Sequence, residues 1–245
     1  MSIVDLLLVA VAGFGAGLVG FVTGLASIVS YPALLAVGIP PVAANVTNTV
    51  AMVAIGVGST TQAASQVAKE RRGLAQQVVL CALGGVVGAA VLLLAPASSF
   101  EAAVPALIAI AALALLLQPS LRARAGDRTF PVAYPIGLFI VSIYGGYFGA
   151  GAGVMMLALM LVATDQSVWR ASVLRSFLLA VANLVAAIGF ALWGPVHWPA
   201  AIAMSIGAYA GGYCGPPVVA RVHPRVLRIG VAVCGFGLAA WLALR

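Results

Sequence analysis

Arg175 is the residue that raises a chemical question. It lies in RASVLRSFLLAVANLVAAIGFALW, residues 170–193, where no charge follows it and Asn183 is the one strongly polar side chain. A guanidinium inside an apolar helix is costly, and it persists where it pairs, binds or reaches an interface. Ser172 precedes Arg175 and Ser176 by three and four positions, so the three share one helix face. The same rhythm occurs 127 residues earlier (172 − 45 = 127) in Asn45, Asn48 and Thr49, each also early in a long apolar span. Amides, hydroxyls and one guanidinium, with no acid nearby in sequence, make a place that prefers an anion.

Each of these residues also has a plainer reading. Arg175 could snorkel to the inner interface, although Arg170 is better placed for that role. Asn45, Asn48 and Thr49 could be glue between helices. Ser172 and Ser176 could bond back to their own helix. His197 beside Trp198 fits the aromatic belt of a membrane boundary. Asp165 could couple a proton or cation, but capping the helix that starts near Ser167 is the better role.

The elements that must position this stripe are membrane helices. Of 245 residues, 64% are hydrophobic and 7% charged, too few charges to cover a water-soluble domain. Long Ala/Leu/Val/Gly runs without two-residue alternation indicate helices rather than barrel strands. Spans are expected at about 3–23, 42–67, 74–96, 102–118, 131–148, 167–193, 199–219 and 227–244. Two apolar pieces, about 26–38 and 152–163, are too short to cross alone. The longest polar stretch, residues 118–128, reads as a loop. The N-terminus has no basic region of a cleaved signal, so the first helix is taken as retained.

Charge placement orients the chain. The net charge is +7, and nine of the twelve basic residues fall in three clusters: Lys69, Arg71, Arg72; Arg122, Arg124, Arg128; Arg221, Arg225, Arg228. Each cluster sits between apolar spans, as cytoplasmic loops do, so the charge indicates membrane lipid rather than nucleic acid. The connections at 95–101 and 194–199 lack basic residues and are placed outside. Both termini then fall outside. Each half holds an odd number of crossing elements, so the halves have opposite orientations.

The expected fold is therefore all-α and polytopic: two inverted repeats, about eight full transmembrane helices and two short broken or re-entrant helices. Residues 1–120 form the first repeat, 121–130 a cytoplasmic linker and 131–245 the second. Small-residue stretches precede the short pieces: Thr23, Gly24, Ala26, Ser27 in the first half, and residues 149–153 in the second. Thr23, Ser27 and the backbone of Gly151 and Gly153 join the candidate anion ligands. The stripes would converge near the midplane, roughly 8–15 Å from the helix starts at about 1.5 Å per residue. Glycines 13, 17, 20 and 24, and 145, 149 and 153, suit close helix packing.

At these residues the chain resembles a known family. The doubled small-residue hairpin, the Pro-Pro turn before ANVTNTVA, RASVLRSFLLAVAN, GPVHWPAAIAMSIGAYAGGYCG and RVHPRVLRIGV resemble the TauE/SafE family over nearly the whole chain. Members of that family often carry a GIGGG-like run in both hairpins. Here the first reads Gly24-Leu25-Ala26-Ser27, and Pro32 has its second-half counterpart near Ala158. The resemblance implies a cytoplasmic-membrane transporter of sulfite or organosulfur anions. Its planar guanidinium would then suit the oxygen pair of a sulfite or sulfonate.

No nucleotide-binding loop, metal cluster or nucleophile triad is present, so no enzyme activity and no cofactor are expected. Cys81, Cys214 and Cys234 are an odd number without metal spacing and read as packing residues, or as thiols along a path for a sulfur compound. The expected function is alternating-access transport, in the export direction, of a small sulfur-containing anion. A passive anion channel and a non-transporting structural subunit are the alternatives, with self-association left open.

Overall fold

The computed structural model describes residues 1–67, 73–123 and 130–219, and isolated positions between 229 and 240. Its described elements are nine helices: α1 (Ile3–Thr23), α2 (Ala26–Ala36), α3 (Pro41–Val67), α4 (Leu74–Leu94), α5 (Ala97–Ala123), α6 (Ala133–Tyr147), α7 (Ala152–Ala163), α8 (Val168–Trp193) and α9 (Trp198–Val219). The basic residues at 69–72, 124, 128 and 221–228, Cys234 and all but those isolated positions of the span expected at 227–244 lie outside the described residues, as does the side chain of Arg122.

Local sequence sets the helix ends. The Ser2 hydroxyl accepts from the Asp5 N–H at 3.2 Å, and the Ser2 N–H donates to Asp5 Oδ2 at 2.7 Å, a reciprocal cap that starts α1. Pro41 opens α3, where its missing N–H costs nothing. Gly24 ends α1 with φ +75°, and Gly151 precedes α7 with φ +81°. A side chain resists that left-handed backbone, and these two glycines make the turns into the two short helices.

Two expectations need correction. α5 starts at Ala97, inside the expected outer connection, and continues to Ala123. The first six residues of the expected loop at 118–128 are thus helical. The cap of α8 is Ser167, whose side chain accepts from the Arg170 N–H at 3.4 Å, while Asp165 is exposed and makes no cap. The alternative reading of Arg175, that it snorkels, also falls away, because only 2% of its surface is exposed.

Three described helices contain stretches long and apolar enough to cross a membrane: Ile3–Gly20, Leu74–Leu94 and Arg170–Trp193. The outer faces carry large apolar side chains, with Ile3, Leu94, Val132 and Trp193 all strongly exposed. Polar groups face inward instead: Asn45, Thr47, Asn48 and Thr49 of α3, Ser30 of α2, Ser142 of α6 and Arg175 are all buried. This is the inverse of a water-soluble surface and matches a lipid solvent.

Helix packing brings the stripes together. α3 packs against α8 along the middle of the molecule. α1 packs on α9, and α6 on α4; α9 also touches α3, and α4 touches α8. Glycines make the outer pairs close. A Cβ on Gly13 would come 2.4 Å from the Met204 carbonyl oxygen, and one on Gly84 2.9 Å from that of Phe139. Contact this close supplies the packing that holds helices together where no water drives them.

Candidate anion site between the short helices

The starts of α2 and α7 meet in the interior. A Cβ on Gly153 would lie 2.7 Å from Gly24 Cα, so the two backbones touch there. Arg175 reaches this crossing from α8 and places Nη1 3.5 Å from the Gly153 carbonyl oxygen. Beside it is a pocket of about 90 Å³. A water needs roughly 10–15 Å³ by this measure, so the space suits one small polyatomic ion or a few waters.

The wall from the first half includes Gly20, Gly24, Ala26, Ser27, Met52 and Gly56. The second half contributes Gly149, Ala152, Gly153, Arg175, Ser176 and Asn183. Among the described residues the lining has no carboxylate. The first turns of α2 and α7 carry the partial positive charge of helix N-termini, and an interior guanidinium adds a full one. The arrangement favours a negative guest.

The candidate residues separate into layers. Arg175, Ser176, Ser27 and Gly153 line the pocket. Asn48 sits behind Ser27: its Nδ2 donates to Ser27 Oγ at 3.1 Å, and its Oδ1 accepts from Ser30 Oγ at 2.5 Å. Ser176 donates to the Ser172 carbonyl at 2.9 Å, so its proton serves its own helix. Thr49 does the same toward the Asn45 carbonyl at 3.0 Å. Asn45 is turned away from the pocket and donates to the Tyr147 carbonyl at 2.9 Å. Ser172, Thr49, Asn45 and Gly151 are not in the lining. The side chain of Thr23 lies outside the described residues.

Sequence reasoning missed Asn183, Gly24 and Gly56 as lining residues, whereas Ser30 was weighed with Thr23 and Ser27 beside the first hairpin. The 127-residue offset could have found all three: it pairs Gly24 with Gly151 and Gly56 with Asn183 (56 + 127 = 183). Other groups have ordinary structural places. The His197 N–H donates to Thr47 Oγ1 at 2.9 Å, and its Nδ1 accepts from the Ala200 N–H at 3.4 Å at the start of α9. Cys81 is buried and Cys214 exposed, both as free thiols. Among the described residues no three potential metal ligands cluster.

An aromatic cluster adjoins the lining residue Gly149 in sequence. Phe148, next to Gly149, meets Tyr31 edge-on with centroids 5.6 Å apart, and Phe100 at 5.8 Å. Phe100 in turn meets Tyr147 at 5.6 Å. Tyr31 is one turn beyond Ser27 on α2, and these rings are not themselves in the lining.

A polytopic helical bundle with a charged interior and lipid-compatible faces is the architecture of a membrane transporter. Residues 9–242 match the family described as Sulfite exporter TauE/SafE, and the chain belongs to that family. It is similar to "Probable membrane transporter protein ORF9" of Sinorhizobium sp, 27% identical over 94% of this chain and 88% of the relative. It is also similar to a "Probable membrane transporter protein" of Haemophilus influenzae, at 24% over 93% and 90%. The "Probable membrane transporter protein YfcA" of Escherichia coli K12 is 24% identical over 99% and 92%.

Proposed function

We propose that this protein moves a small sulfur-containing anion, such as sulfite or an organosulfonate, across the cytoplasmic membrane by alternating access to the Arg175 pocket. The observation that carries this reading is the buried guanidinium where two short helices begin, at a pocket whose described lining holds no carboxylate. An ionisable side chain inside a membrane helix marks a functional site by default. The family description supports the sulfur chemistry.

The mechanism rests on two inverted repeats. Exchange of the halves maps α1 on α9 to α6 on α4, and α3 on α9 to α8 on α4. The contacts are consistent with a twofold relation in the membrane plane, about which one half can rock against the other. Export matches the membrane potential, which drives an anion out by about 2.3 kcal/mol per charge per 100 mV.

The test is flux into proteoliposomes holding wild type or Arg175→Gln, with sulfite, thiosulfate, taurine, sulfate and chloride as external solutes. Saturable flux of a sulfur anion in wild type, lost in a variant that still folds, supports the proposal. Equal flux in both removes Arg175 from the site. Non-saturating ion currents identify a channel, and no flux with any solute identifies a structural subunit.

A further inference from the structure

We infer that Asn48 is a positioning residue: with Ser30 it orients the Ser27 hydroxyl so that its proton points at the bound anion, on the side of the pocket opposite α8. This rests on the anion reading above and adds a second contact to it. Ser30 Oγ and Asn48 Oδ1 are 2.5 Å apart, within the range of O–H···O bonds and shorter than N–H···O bonds run. That contact is therefore made by the carbonyl end of the amide. The amide N–H2 then faces Ser27 Oγ at 3.1 Å, an ordinary N–H···O distance.

A hydroxyl has one proton and two lone pairs. Ser27 spends a lone pair on Asn48, so its proton is available for another partner, and Ser27 lines the pocket. Ser176, across on α8, is in the opposite condition, because its proton is committed to Ser172. Ser27 is thus the hydroxyl that can donate to a guest, and Arg175 donates from α8. The ligand class that satisfies both is an ion with acceptor oxygens pointing apart, a pyramidal or tetrahedral oxyanion. A single-atom halide spans the two poorly.

The 127-residue offset places Asn48 opposite Arg175 in the repeat (48 + 127 = 175), yet their roles differ. Arg175 borders the pocket itself, whereas Asn48 acts through Ser27. The two halves hold one ion by unlike means.

The test is calorimetric binding of sulfite, with sulfate and chloride as comparison probes, to the purified full chain in lipid nanodiscs. Ser27→Ala should weaken sulfite binding about tenfold or more, the worth of a hydrogen bond to a charge. Ser27→Thr, which keeps the hydroxyl, should retain affinity. Asn48→Ala should weaken binding to a similar degree, and the double variant should be no weaker than Ser27→Ala alone. Ser30→Ala, which leaves the amide in place, serves the same cycle should Asn48→Ala fail to fold. Full affinity in Ser27→Ala, or strictly additive losses in the double variant, overturns the inference while leaving the anion site intact. A wild type that binds none of the three probes overturns the anion reading itself.

Discussion

Gly24 and Gly153 touch backbone to backbone beneath the Arg175 guanidinium. A Cβ on Gly24 would lie 2.8 Å from Arg175 Nη1 and from the Gly153 carbonyl carbon. The crossing of the two short helices therefore admits no side chain at either position, and the first expectation concerns these glycines. Gly24→Ala combines left-handed strain of about 1–2 kcal/mol with overpacking of about 1–3 kcal/mol. Gly38 has φ +83° but no atom within 4 Å of an added Cβ, so Gly38→Ala meets the strain alone. Thermal melts should rank wild type first, then Gly38→Ala, then Gly24→Ala. Equal melting temperatures for the two variants would mean that the crossing is not tight.

Arg175→Lys separates charge from shape. Lysine keeps the positive charge but presents a point charge instead of a planar fork. Sulfite flux through Arg175→Lys should survive with a KM raised about tenfold or more, a loss of about 1.4 kcal/mol. Arg175→Gln should lose saturable flux altogether. A lysine variant with wild-type KM would show that charge alone holds the anion.

Tyr31 and Asn45 make opposite predictions for stability. The Tyr31 hydroxyl is buried and has no hydrogen-bond partner among the described residues. Tyr31→Phe removes an unsatisfied group and should melt at or above the wild-type temperature. Asn45→Leu strips the bond to the Tyr147 carbonyl and leaves that oxygen unpaired, at about 1–3 kcal/mol. Its melting temperature should fall. A Tyr31→Phe protein that is stable but slow in transport would place the hydroxyl in a second conformation, where it finds its partner.

Much of this fold is legible in the sequence, because lipid imposes simple rules. Apolar length and glycine breaks locate α1, α4 and α8 to within a few residues, and the short α2 and α7 follow from their 11 and 12 residues. α5 is harder: its polar residues 118–123 stay helical although they read as loop. The site is legible only in part. Three-and-four spacing finds a polar face, but it cannot tell which member turns toward a pocket and which toward a neighbouring backbone. Asn45 and Asn48 lie on the same stripe, and one bonds Tyr147 while the other bonds Ser27. That division depends on the helices packed around α3.

The inversion of the repeats has a direct topological test. Pro40 and Asp165 are both exposed, each in the turn that follows a short helix. If the halves point the same way, these turns share a membrane face; if the halves are inverted, they lie on opposite faces. Cysteine substituted at each, in a background lacking Cys81, Cys214 and Cys234, should be labelled by an impermeant thiol reagent from opposite sides. Pro40→Cys should react from outside, on the same side as Ser98→Cys at the exposed start of α5. Asp165→Cys should react only once the inner face is opened to the reagent. Labelling of both from one side would remove the inverted relation, and with it the rocking mechanism, while leaving the Arg175 pocket as a binding site.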